Sequence, residues 1–142
     1  MARVDFYLIA QSGPQSRQSF ACRLAEKAYR LNHTVHIHAV SEAEADHLND
    51  LLWTFRDGSF VPHAILSGSA DNPRQPVTIG HRDESVAPRD LLINLCDEIP
   101  PFAGAFARVA ELVTSDDDCR QKSRKRFAAY REQGYTMETH NV

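Results

Sequence analysis

The sequence predicts an α/β domain in three layers, α/β/α, around a mainly parallel sheet. Strand-like and helix-like segments alternate along the chain, the order that parallel strands joined by crossover helices require. The run over residues 90–96 is almost continuously apolar, as in a strand buried on both faces. A length of 142 residues fits one hydrophobic core, hence a single domain over residues 1–142.

Each element has a local reason. Residues 4–9 are rich in aromatic and β-branched side chains and read as a first strand. Gln11-Ser12-Gly13-Pro14 breaks the chain, after which Phe20, Leu24, Ala28 and Leu31 recur at helical spacing over 15–31. Over 34–40, Val35, Ile37 and Ala39 share one face of a second strand. Ser41 with Glu44 forms a capping box that opens a helix reaching Leu52, with Ala45, Leu48 and Leu52 as its apolar stripe. Further strands are predicted over 61–66, 77–79 and 90–96, with a polar, turn-rich loop over 68–76. Residues 102–113 read as a helix, and 116–133 as a last one. Asp116, Asp117 and Asp118 sit at its start, where the dipole favours them, and Gly134 follows its end. Right-handed crossovers would place helices on both sheet faces, a Rossmann-like arrangement.

The composition is that of an ordinary globular chain, 42% hydrophobic and 25% charged. No apolar run approaches the ~20 residues that span a bilayer, so no membrane partner is expected. Asp5 interrupts any apolar leader near the start. Cys22, Cys96 and Cys119 are odd in number and widely spaced, which points to reduced thiols in a cytoplasm. The net charge of −3 is uneven. Residues 120–131 hold six basic residues and no acidic one, leaving ten basic against nineteen acidic residues elsewhere. An acidic body with one compact basic patch suits a local anionic partner better than a long polyanion.

The chemical motifs that this topology often carries are missing. The first loop is neither G-x-x-x-x-G-K-[ST] nor G-x-G-x-x-G. It lacks the glycines that let a backbone wrap phosphates and the lysine that counters their charge, so no nucleotide cofactor is expected. His36 and His38 alternate on one strand face with His33 nearby, a geometry open to a metal pair. No cysteine or acid stands at ligand spacing beside them. The expectation is therefore a polar face, open to solvent or partly covered, and no metal. No G-x-S-x-G, H-E-x-x-H or C-x-x-C occurs, and no catalytic residue is assigned.

Two features suit protein partners. Trp53, Phe55 and Phe60 lie within eight residues, and Pro62 cannot donate a ladder hydrogen bond, so it belongs at a strand start or edge. Exposed, these aromatics would anchor a partner; buried, they would fill the core. The second feature is the last helix. At about 100° per residue, Arg120, Arg124 and Arg131 fall in one stripe, Phe127 lies along its edge, and Cys119, Ser123 and Tyr130 turn inward. Guanidinium groups beside an aromatic edge suit a peptide with a carboxylate and an apolar side chain. A solvated amphipathic helix is the plain alternative.

Four clusters recur in order: Phe6-Tyr7-Leu8, then Leu52-Trp53-Thr54-Phe55 with Phe60-Val61-Pro62-His63, then Arg89-Asp90-Leu91-Leu92-Ile93-Asn94-Leu95, then Arg124-Lys125-Arg126-Phe127-Ala128-Ala129-Tyr130-Arg131 with Gly134-Tyr135. Together they resemble the chi subunit family of bacterial DNA polymerase III over nearly the whole chain. The resemblance implies a non-catalytic accessory subunit of the clamp-loader assembly, with a nucleotide-binding-like fold and no nucleotide site. It implies a contact with the psi subunit, carried over to Trp53, Phe60 and Pro62. It also implies binding of the acidic C-terminal tail of single-stranded-DNA-binding protein, which ends in an apolar residue bearing the terminal carboxylate. The positions carried over are Val113, Arg120, Arg124 and Phe127, with Tyr130, Arg131 and Gly134 as neighbours. Some chi-like proteins have lysine where Arg120 stands. Nucleic acid would then be reached indirectly, through that protein. Two rivals stand beside this reading: a direct single-stranded nucleic-acid module using the basic C-terminal helix, and a nucleotide-using enzyme with an unusual loop.

Overall fold

The computed structural model describes residues 2–54, 61–66, 74–82 and 87–142. Its elements follow as β1 (Arg3–Leu8), α1 (Pro14–Arg30), β2 (Val35–His38), α2 (Glu42–Thr54), β3 (His63–Ile65), β4 (Val77–Gly80), β5 (Leu91–Asn94), a 3₁₀ turn (Ala103–Ala105), β6 (Arg108–Val113), α3 (Asp117–Glu132) and β7 (Thr136–Asn141). The strands form one sheet in the order β3-β4-β2-β5-β6-β1-β7, and every pairing is parallel. Helices α1 and α2 pack on one face; α3 and the 3₁₀ turn pack on the other. The three-layer α/β/α architecture is the one expected.

Register sorts the side chains between the layers. Phe6 stands opposite Glu111 of β6 and Thr139 of β7. Val4, Phe6 and Leu8 therefore share the α3 face, while Asp5 and Tyr7 point to the α1 face. On the α1 and α2 side, Val35, Ile37, Val77, Ile79, Leu91 and Ile93 meet Ala21, Ala25, Leu48 and Leu52 with almost no exposure. Each such leucine or isoleucine contributes roughly 1.5–3 kcal/mol by leaving water. Helix α1 begins where Gly13 takes φ 90°, a conformation that suits glycine, and Pro14 supplies the fixed φ of a first helical residue. The Glu44 N–H donates to Ser41 Oγ at 3.1 Å, and the Glu44 carboxylate accepts from Val40 N–H at 2.9 Å. The capping box thus forms, with its return bond one residue early.

Two expectations need correction, and one strand is new. Residues 102–113 are not a helix: after the 3₁₀ turn they form β6, between β5 and β1. Val109, Ala110, Glu111, Leu112 and Val113 are all buried, so the alternation that marks a half-exposed strand is missing. Strand β7 was not foreseen, because an edge strand made of Thr136-Met137-Glu138-Thr139-His140-Asn141 carries only one large apolar residue. His36 and His38 do not form an open face: both are 1% exposed on β2, in the middle of the sheet, under Phe102 and Phe106.

Candidate docking groove and its supporting residues

Helix α3 is fixed at both ends. At its start the Asp116 carboxylate accepts from Cys119 N–H at 3.3 Å, from Gly13 N–H at 3.3 Å and from the Thr114 hydroxyl. These bonds, Thr114 first and Gly13 next, hold the Asp116 pKa down at about 2. At its end Gly134 takes φ 86°, with Gly134 N–H donating to Arg131 C=O and Tyr135 N–H to Tyr130 C=O. That pairing is a Schellman motif, and it needs the left-handed residue that Gly134 provides.

The inward face of α3 contains Cys119, Ser123 and Tyr130, as the helical wheel predicts, and also Arg126. Arg126 belongs by sequence to the basic patch, yet only 4% of its side chain is exposed. Its Nε donates to Glu111 Oε1 at 3.0 Å and its Nη1 to Asp97 C=O at 2.8 Å. Glu111 also accepts from Tyr130 Oη at 2.7 Å and from Asn94 Nδ2 at 2.9 Å. Burial, with the Glu111 charge beside it, pushes the Tyr130 hydroxyl pKa far up, so it stays a donor.

The outward face of α3 borders a groove of about 400 Å³. Arg120, Arg124 and Phe127 form its helical wall; Val113 and Thr114, at the end of β6, form its back. Phe6 and Leu8 of β1 and Thr139 of β7 also line it. Arg120 and Arg124 are exposed, Phe127 is half-buried, and Val113 is nearly covered. The Phe127 ring rests on Phe6 at 5.2 Å between centroids, and the Arg131 guanidinium lies 6.0 Å from the Phe127 ring centre. An apolar slot edged by two guanidinium groups can take an apolar side chain together with a carboxylate.

The structure brings Val113, Arg120, Arg124 and Phe127 to this one groove. Arg131 touches it only through Phe127. Tyr130 is wholly buried behind the helix, and Gly134 is the exposed cap of its far end, so neither lines the groove. Phe6, Leu8 and Thr139 were missed as groove residues. The alternation of Val4, Phe6 and Leu8 shows that they share a face, but which of them border the groove depends on the strand order that sets β1 between β6 and β7.

The second patch lies at the opposite edge of the sheet. Trp53, at the end of α2, is 55% exposed and stands edge-on to His63 at 5.0 Å. Its exposure rules out the core-filling alternative for this one aromatic. Ile65 of the edge strand β3 is also exposed, and Pro62 precedes that strand half-buried, at the strand-start position its missing N–H requires. Phe55 and Phe60 lie outside the described residues.

Strands β1 and β6 are neighbours whose following helices lie on opposite faces, the crevice where this topology binds ligands. Here the Asp116 carboxylate already bridges the starts of α1 and α3 across that crevice. Among the described residues, Asp5, Glu138 and His140 are the one trio whose ligand atoms come within 4.8 Å of one another. Asp5 is already paired with Arg3 and Arg108, each at 2.9 Å, and with His140, also at 2.9 Å. No helix of the described residues is long and apolar enough to cross a membrane.

Residues 1–138 match the family described as DNA polymerase III chi subunit, HolC. The DNA polymerase III subunit chi of Pseudomonas aeruginosa is 44% identical over 142 residues, covering 100% of this chain and 98% of that one. The subunits of the same name from Haemophilus influenzae and Escherichia coli are 35% and 32% identical, covering 97% and 98% of this chain and 96% and 97% of their own. Among solved structures, the crystal structure of T4 UvsW superposes with a TM-score of 0.70 at 10% identity. That match covers 99% of this chain but 41% of the other, and it shows the fold alone.

Proposed function

Because this chain belongs to the DNA polymerase III chi subunit family, a component of DNA replication, we propose that it acts there as a non-catalytic, cytoplasmic adaptor. In this reading the Trp53 patch, with Phe60 and Pro62, holds the psi subunit within the clamp-loader assembly. The α3 groove grips the acidic tail of single-stranded-DNA-binding protein, and single strands are reached only through that protein.

The observation that carries the reading is the separation of the two surfaces. The patch borders β3 and the groove borders β1, five strands away in the sheet order. At about 4.8 Å per strand that is roughly 24 Å, enough for two partners to sit at once. In the groove, Arg124 and Arg120 would meet the terminal carboxylate, while Phe127, Phe6 and Val113 would take the apolar terminal side chain.

Fluorescence anisotropy of a labelled peptide ending Asp-Asp-Ile-Pro-Phe tests this. Saturable binding of the free acid, lost on amidation and absent for an oligonucleotide, is the expected result. Oligonucleotide binding without peptide binding would favour the direct nucleic-acid module.

A further inference from the structure

A second groove opens on the other face of the sheet, between α1 and the strands β1 and β6. It measures about 290 Å³ and neither proposed partner uses it. Its apolar edge is Phe20, Leu24 and Leu31 of α1 and its end with Val142 beyond β7. Leu31 is 59% exposed and Val142 53%, so two of the most exposed large apolar side chains among the described residues converge here. Tyr7 forms the floor, packed on Phe20 at 5.4 Å and stacked on His140 at 5.0 Å.

Charge decides the kind of occupant. Arg23 and Lys27 are exposed, stand one helical turn apart beside the apolar row, and line the groove. Neither forms an ion pair among the described residues; the Arg23 guanidinium lies over the Phe20 ring at 5.4 Å. Like charges four apart on a helix repel each other, a small cost that a bound anion removes. Nearby acids are already used: Asp5 holds Arg3 and Arg108, and Glu26 faces Arg30 at 3.6 Å.

We propose that this α1 groove docks an acidic peptide segment of a partner protein, its apolar side chains seated along the row Phe20, Leu24 and Leu31 over Tyr7 and its carboxylates on Arg23 and Lys27. The stripe from Phe20 to Leu31 is about 16 Å long, room for roughly five extended residues. Arg23 and Lys27 are about 6 Å apart along the axis, close to the repeat of alternate residues in an extended chain. The bound segment therefore carries acids at i and i+2 with an apolar residue beside them. The third Lys or Arg of the lining, Arg108, is paired with Asp5, so Arg23 and Lys27, flanked by aliphatic side chains, do not form the continuous basic track that a nucleic-acid strand uses. This inference stands independently of the tail-binding reading, because the two grooves lie on opposite faces of the sheet and share no lining residue.

The test pans a displayed random peptide library, its peptides lacking a free carboxyl terminus, against the full chain. Counter-selection uses the Arg23→Glu/Lys27→Glu variant, whose folding is checked by thermal melting. Labelled consensus peptide and a labelled oligonucleotide are then titrated by anisotropy. The expected result is an acidic, apolar consensus at alternate spacing. Its binding should weaken at least tenfold in the double variant and severalfold in Leu31→Ser, and stay unchanged in Arg124→Ala. The double variant should still bind the free-acid tail peptide, which separates failure of this groove from failure of the other. The absence of a consensus, or a consensus whose binding survives the charge reversal, would overturn the proposal. Oligonucleotide binding that the double variant loses would overturn it in favour of a nucleic-acid ligand.

Discussion

Arg126 of α3 pairs with Glu111 of β6 at 3.0 Å, with 4% and 0% of their side chains exposed. This buried pair, with Tyr130 and Asn94 also bonded to Glu111, locks the inner face of the helix whose outer face makes the groove. Glu111→Gln removes the charge and leaves the Arg126 guanidinium buried without its counter-ion. A loss of about 3–5 kcal/mol in urea unfolding is expected. A loss below about 1 kcal/mol would show that the pair is not buried in solution as it is here.

Asp116 joins the starts of α1 and α3, so Asp116→Ala should cost about 1–2 kcal/mol at neutral pH. Its folded pKa of about 2 lies below the unfolded value of about 3.9. The carboxylate contribution is therefore complete above about pH 4 and is lost as pH falls towards 2. Unfolding curves of the wild type and the variant should converge over that window. A gap that stays constant down to pH 2 would assign the loss to something other than this carboxylate.

His36 gives the opposite residue type the same sign. Burial, with His38 and Arg89 as lesser causes, pushes its pKa down to about 3. Below about pH 6.5 the unfolded chain takes up a proton that the folded one refuses, so stability falls as pH falls towards 3. The His36 share reaches about 1.4 kcal/mol per pH unit. His36→Gln should be less stable at pH 7.5 yet show a shallower decline between pH 6 and 4 in thermal melts, about the range that matters. Equal slopes would place the His36 ring in contact with water.

Trp53 is exposed, so Trp53→Ala should change folding stability by less than about 1 kcal/mol. The same substitution should release the psi partner in a pull-down while leaving tail-peptide affinity intact. Retention of that partner at unchanged affinity would remove Trp53 from the proposed interface.

Most of the architecture was legible because its elements carry strong local signals. Pro14 and the Phe20–Leu24 spacing mark α1, Ser41 and Glu44 mark α2, and Asp116 with Gly134 brackets α3. The misses have physical causes. Strand β6 is buried on both faces and lost its alternation, and Phe102, Phe106, Val109 and Val113 happen to fall at helical spacing. Strand β7 is a polar edge held by its pairing with β1. In the groove, the helical wheel placed Arg120, Arg124 and Phe127 correctly because they share one element. The contribution of Phe6, Leu8 and Thr139 depends on strand order, which no local pattern encodes. Arg126 fell on the inward arc of the same wheel, and its charge disguised a core position.

A double-mutant cycle measures whether Arg124 binds the terminal carboxylate of an acidic tail, as proposed. Arg124→Ala is paired with amidation of the peptide ending Asp-Asp-Ile-Pro-Phe, and the four affinities are measured by titration calorimetry. Each single change should weaken binding, and the two together should cost less than their sum by about 1.5–3 kcal/mol, the size of a charged hydrogen bond. Additive effects would contradict the claim, because Arg124 and the carboxylate would then act independently.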